Sequence, residues 1–280
     1  MSRTPRSKRE HPAVMQNPDL SLRLIWRLLR IGAHLISGCL TALLTGMFFM
    51  RPKAWHRPIV RWWLSGLASR LNLEVSVQGA PVDGVSLWVS NHVSWMDIPV
   101  LGGISPVDFL SKAEVAKWPL IGRLAQASGT LFIQRGSGDV VRVQQTMKSA
   151  LNAHRSVLFF PEATTTDGHR VQRFFPQLFA VASDTDCRVQ PVIICYRQGQ
   201  QLHPLAPFIG DDDLVPHLLN VLAGERIRVD VKFLPVQAVA GRDARALSLA
   251  CEMAMAEALI ALHGDADIPS RVGLPAVRSA

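Results

Sequence analysis

The sequence predicts an α/β chain: a mostly parallel sheet flanked by helices, preceded by an N-terminal membrane helix or hairpin. Three observations carry this reading. From Leu73 onward, short β-branched apolar runs alternate with longer helix-periodic stretches, the pattern of strands buried on both faces and joined by helices. A stretch with no formal charge runs from Ile31 to Met50. At about 1.5 Å per residue it is long enough to cross a hydrocarbon core of roughly 30 Å. Finally, 48% of the 280 residues are apolar and 19% charged, against about a quarter charged in ordinary soluble domains.

Residues 1–20 form a polar, basic lead with Arg3, Arg6, Lys8 and Arg9, expected to be disordered. Residues 21–70 read as a membrane-anchoring helical segment. It opens on SLRLIWRLLR, continues through the uncharged run, and closes on RPKAWHRPIVRWWLSGLASRL. Trp55, Trp62 and Trp63 beside arginines have the composition of a headgroup-level anchor. A cleaved signal peptide does not fit, because the run is too long and no small-x-small site precedes a polar start. Basic residues flank the run on both sides, so charge bias gives no orientation. A shallow hairpin in one leaflet suits two basic ends, with a single spanning helix as the alternative.

Residues 71–265 then carry the strand runs LEVSVQ (73–78), SLWVS (86–90), VDFLS (107–111), TLFIQ (130–134), SVLFF (156–160), VQPVIICY (189–196) and IRVDVKF (227–233). Helical stretches lie between them at 119–128, 138–154 and 178–185, and a last helix is expected over 243–263. Residues 266–280 read as a flexible tail.

The net charge of +8 and an isoelectric point near 9.9 imply an anionic partner. With one tyrosine and no interleaving of basic and aromatic residues, a membrane surface is favoured and nucleic acid is not expected. Cys39, Cys187, Cys195 and Cys251 are scattered, so neither a disulfide framework nor a metal site is expected.

GxSxG, GxxxxGK[ST], HExxH and a true GxGxxG are all absent from the chain. Nucleophile-elbow hydrolases, P-loop proteins, zincins and dinucleotide-binding folds are thereby disfavoured. The informative segment is WVSNHVSWMDIPVL, where His92 and Asp97 directly follow an apolar strand. In α/β proteins reactive groups collect at the carboxyl ends of strands. A histidine there can take a proton from a hydroxyl, and a carboxylate on its other ring nitrogen would fix the tautomer. Three more segments end strands with polar groups or interrupt one: FIQRG with Arg135, LFFPEATTTDG with Glu162 and three threonines, and QPVII with Pro191.

Taken in order, Asn91-His92-xxxx-Asp97, Phe132-Ile133-x-Arg135, Phe160-Pro161-Glu162-Ala163-Thr164 and Val189-x-Pro191 resemble the glycerolipid (lysophosphatidic acid type) acyltransferase family. The resemblance covers roughly residues 80–200 and extends through flanking strands to most of 70–235. It implies an αβ acyltransferase fold and direct transfer of a fatty acyl group from acyl-CoA or acyl-carrier protein to a lysolipid hydroxyl, with no cofactor and no metal. On that resemblance His92 is the general base and Asp97 its orienting partner. Asn91, Arg135, Glu162, Thr164, Thr165, Arg173 and Pro191 belong to substrate binding. Because both donors are cytoplasmic, the implied location is the inner membrane with the catalytic part facing the cytoplasm.

Two departures bear on the acceptor. The family's third block commonly reads Phe-Pro-Glu-Gly-Thr-Arg, and here Ala163 and Thr165 replace the glycine and arginine. Downstream, Phe175 stands where a lysine is common, after Arg173 and Phe174. Two cations expected on a lysophosphatidate phosphate are therefore missing, each such contact contributing about 1.5–3 kcal/mol. Arg170 or Arg173 offers a replacement from a shifted position. The Thr-Thr-x-Asp-Gly continuation resembles the lyso-ornithine lipid acyltransferase branch, so the expected acceptor is lysophosphatidate, giving phosphatidate, with lyso-ornithine lipid as the alternative.

Overall fold

A computed structural model describes residues 18–50, 52–133 and 140–264. Arg135, most of the basic lead and the tail lie outside the described residues. In chain order the elements are α1 (Pro18–Leu44), α2 (Arg57–Arg70), β1 (Leu73–Gln78), β2 (Leu87–Ser90), α3 (Asp97–Ile104), β3 (Asp108–Lys112), α4 (Ile121–Ala127), β4 (Leu131–Ile133), α5 (Val140–Asn152), β5 (Val157–Phe159), α6 (Ala180–Thr185), β6 (Val189–Gln198), β7 (Gln201–Leu202), α7 (Leu214–Ala223), β8 (Ile227–Phe233) and α8 (Ala244–His263).

The strands lie in the order β1-β8-β6-β2-β5-β3-β4, with the short β7 hairpinned onto β6. From β6 to β4 all neighbours are parallel, whereas β8 meets β6 antiparallel and carries β1 with it. The expected sheet is thus present, with two strands reversed at one edge. Alternate side chains feed two cores. Trp88, Leu158, Ile194 and Val229 face α1, α2, α3 and α7, and Val89, Phe159, Ile193 and Cys195 face α5, α6 and α8.

The helix covering the uncharged run does not have the expected bounds. α1 begins at Pro18, before that run, and ends at Leu44. Gly46 stops it: its φ is 74°, its N–H bonds Leu43 O, and Met47 N–H reaches back to Ala42 O. This paired closure around a left-handed glycine ends a helix and turns the chain. Buried His56 pins the return, accepting Lys53 N–H at Nδ1 and therefore donating from Nε2 to Thr45 O.

α1 lies along the rest of the protein over its whole length. Arg27 caps the end of α7 through the carbonyls of Leu222 and Gly224. His34 and Trp63 stack with their rings 5.0 Å apart and exchange hydrogen bonds to each other's carbonyls. Ala42 and Met47 pack with Ala127 of α4. Of the three tryptophans of the basic stretch, Trp63 is therefore an interhelical residue, while Trp55 and Trp62 are exposed. Ile31, Ala68 and Leu71 enter the same core as the sheet, so residues 21–70 and 71–265 share one hydrophobic interior.

α2 and α3 approach each other closely at two glycines of α3. A Cβ placed on Gly103 would sit 2.8 Å from Ser65 Cα. Gly103→Ala should therefore lower stability by about 1–3 kcal/mol, as overpacking does. Gly32→Ala on α1, which meets nothing within 4 Å, should be neutral or stabilising by up to about 1 kcal/mol. Thermal unfolding of the two variants in detergent checks both expectations.

Candidate active site

β2 ends at Ser90, and the main chain then leaves the sheet. Asn91 bridges the departure: its side-chain amide accepts Ile194 N–H and donates to Ile194 O, both at 2.9 Å. Both ends of this buried amide are used by the β6 backbone. The sequence assigned Asn91 to substrate binding, whereas its contacts splice the loop to the sheet.

Residues 92–97 form a tight turn in which His92 Nδ1 lies 2.7 Å from Asp97 Oδ2. The same oxygen accepts Val93 N–H at 2.9 Å and Ser94 N–H at 3.2 Å. Asp97 Oδ1 accepts the Tyr196 hydroxyl at 2.7 Å. Asp97 already accepts two backbone N–H groups and a hydroxyl, so it is the acceptor in this contact too, and in the neutral imidazole Nδ1 carries the proton while Nε2 presents the lone pair. Asp97 is fully buried, whereas the His92 side chain is 20% exposed. The dyad thus has a buried, satisfied end and an open, basic end.

The third block serves His92 more than it serves an open pocket. Glu162 Oε2 accepts His92 N–H at 3.2 Å, and its other oxygen accepts Gln172 N–H at 2.9 Å. Thr166 donates its N–H to His92 O at 2.8 Å. Phe160 stacks on the imidazole, centroid to centroid 3.9 Å and 10° from parallel. Glu162 is therefore brought to the site as a buried clamp on the His92 backbone. Ala163 holds φ at 58°, a left-handed conformation that a Cβ disfavours and glycine takes freely. The family's usual glycine at this place has that physical reason, and here an alanine adopts the same turn.

The remaining expected residues fall into two groups. Thr164 and Arg173 are exposed beside the clamp and Thr165 is partly buried. Pro191 is buried inside the sheet in register with Val89, three residues before His92, so it is not brought to the dyad. Arg135 lies outside the described residues. Phe160 and Thr166 carry no role of their own in the sequence motifs, and Tyr196 lies outside them. For Tyr196 a signal existed, since the only tyrosine of the chain ends the apolar run of β6. Among the described residues, no group of three or more His, Cys, Asp or Glu could hold a metal ion.

Burial pushes the Glu162 carboxyl from 4.5 up to about 7, against its two N–H donors and with the Asp97 and Asp167 charges adding to the rise. A carboxyl whose folded value is raised favours the folded state most at low pH. Its contribution is complete below about 4.5 and lost as pH rises through about 7. The loss across that window is on the order of 3 kcal/mol. Glu162→Gln should remove this part of the pH dependence of thermal unfolding between those limits; an unchanged slope would contradict the assignment.

Comparison with known proteins agrees with this architecture. Residues 73–195 match the family model described as Acyltransferase. The lyso-ornithine lipid O-acyltransferase of Pseudomonas aeruginosa is 46% identical over 201 residues, covering 72% of this chain and 78% of that protein. The 1-acyl-sn-glycerol-3-phosphate acyltransferase of Neisseria gonorrhoeae is 30% identical over 187 residues, covering 66% and 73%. The crystal structure of the 1-acyl-sn-glycerophosphate acyltransferase PlsC of Thermotoga maritima shares the fold, with a TM-score of 0.65 at 20% identity over 90% of this chain and 98% of that one. The matched stretch runs from β1 into β6 and contains His92, Asp97 and Glu162, and with a relative nearly half identical across most of both chains, this protein belongs to the acyltransferase family.

Proposed function

We propose that the protein transfers a fatty acyl group from acyl-CoA or acyl-carrier protein to the hydroxyl of a lyso-ornithine lipid. The dyad is the observation that carries the chemistry: a histidine whose buried nitrogen is held by a satisfied carboxylate and whose other nitrogen is free to accept a proton. His92 Nε2 takes the acceptor's hydroxyl proton as its oxygen attacks the thioester carbonyl. The tetrahedral intermediate collapses with cleavage of the C–S bond, and the imidazolium returns the proton to the departing thiolate. Asp97 stays ionised and stabilises the imidazolium.

The acceptor follows from the charges around the clamp. Thr165 and Phe175 replace two cations, and Asp167 is an exposed acid beside the clamp. A zwitterionic headgroup with an ammonium suits that environment better than a dianionic phosphate. The name of the Pseudomonas relative points the same way. Lysophosphatidate is the second reading, favoured by the Neisseria relative and open to Arg135, Arg170 or Arg173 as phosphate partners.

The same proposal places the chain on the membrane where lysolipid resides, at the cytoplasmic face of the inner membrane. One side of α1 is packed on the protein, and the other exposes Leu22, Ile25, Trp26, Leu29, Ile36, Leu40 and Leu44 at helical spacing. A helix packed along its length on one side and apolar on the other suits insertion into one leaflet better than a span.

Purified full chain should convert lyso-ornithine lipid to the diacyl product with labelled acyl donor, and His92→Ala should lose at least about a hundredfold in rate. Exclusive formation of phosphatidate from lysophosphatidate would overturn the acceptor, and full activity of His92→Ala would overturn the mechanism. Replacing the exposed Leu29, Ile36 and Leu40 by Gln should release the protein from anionic vesicles. Each buried leucine-sized side chain contributes about 1.5–3 kcal/mol. Unaltered flotation after a high-salt wash would remove α1 as the lipid contact.

A further inference from the structure

We infer that Tyr196 is a positioning residue of the acyl-transfer site, acting on His92 through Asp97. The inference rests on the reading of His92 as base. β6 is in register with β2 up to Val192 opposite Ser90, but it continues to Gln198, supported by the antiparallel β8. Tyr196 is therefore carried past the end of β2, and strand alternation turns it to the face that holds α3. There its hydroxyl is 2.7 Å from Asp97 Oδ1, and the residue is only 2% exposed.

This bond completes the set of the carboxylate. Among the described residues, Oδ2 has three donors in the 92–97 turn and Oδ1 has Tyr196 alone. Without the phenol, Oδ1 is left buried without a donor, which loosens the set of the carboxylate while the three donors of the turn keep Oδ2 beside the imidazole. The phenol also draws negative charge toward Oδ1, so it limits how strongly Asp97 holds a proton on His92. Burial and the Asp97 charge keep the phenol far above its ordinary pKa, so it remains a donor. The other titratable groups facing this cluster are Glu162, which holds the His92 N–H, and Cys195, Asp167 and His203, which line a small cavity with Tyr196.

Because Tyr196 is the only tyrosine, biosynthetic replacement by 3-fluorotyrosine alters one site in the chain. Tyr196→Phe should lower kcat about tenfold, the scale of one lost buried donor, with acceptor KM changed less than about twofold. It should also move the acid limb of the rate profile upward. Fluorotyrosine, a more acidic donor of nearly the same size, should move that limb downward. Opposite displacements distinguish positioning through Asp97 from packing alone. Wild-type kcat and an unmoved limb in Tyr196→Phe would overturn the inference. Should that variant fail to fold, an unmoved limb in the fluorotyrosine protein overturns it. The fluorine resonance should shift between the wild-type chain and Asp97→Asn without any substrate, and an unchanged resonance also overturns the inference. Activity retained by His92→Ala would instead remove the base itself, an outcome separate from the fluorine result.

Discussion

The organising constraint is the Asp97 carboxylate, a charge held out of water. An ionised group cannot stay buried unless its oxygens are supplied with donors, and here four are supplied. Two are backbone N–H groups of its own turn, one is the His92 imidazole and one is the Tyr196 hydroxyl. Each donor comes from a piece of chain that must be held in place. The turn needs β2 and the Asn91 splice, and Tyr196 needs β6 to outrun β2 with β8 behind it. Much of the central sheet can therefore be read as the support of one carboxylate, and through it of one imidazole.

The third block completes the support from the other side. Glu162 holds the N–H of His92, Thr166 holds its carbonyl and Phe160 covers its ring. A general base needs its free nitrogen aimed within narrow limits, and backbone clamps of this kind restrict it more tightly than side-chain contacts alone. Residues suggested for substrate contact are thus partly occupied in holding the base. On the proposed function, the acceptor would be met by groups nearer the surface, among them Thr164, Thr165 and Arg173.

The N-terminal helices have two tasks imposed by one sequence. Their inner sides supply Ile31, Ala68 and Leu71 to the core, and the outer side of α1 carries an apolar stripe in which Trp26 is 62% exposed and Leu44 84%. Deleting such a segment would open the core as well as remove the proposed lipid contact, so exposed-face substitutions separate the tasks. The Gly46 stop matters here, because it folds the uncharged run back at Leu44 and makes a hairpin where composition also allowed a longer helix.

By itself the sequence determined the alternating elements, the pairing of His92 with Asp97, and the missing cations at Thr165 in the third block and at Phe175 downstream. Strand periodicity and motif order are local properties, and the bounds of β1 and β8 agree with them to the residue. Tertiary structure alone decided which groups Asn91, Glu162 and Pro191 meet, since a buried polar side chain is satisfied by whatever distant backbone the topology brings beside it. It also decided the reversal of β8, the interhelical burial of Trp63 and the arrival of Tyr196 at Asp97, 99 residues away in the chain. Such long-range partners follow from strand order and register, and neither leaves a local periodic mark on the sequence.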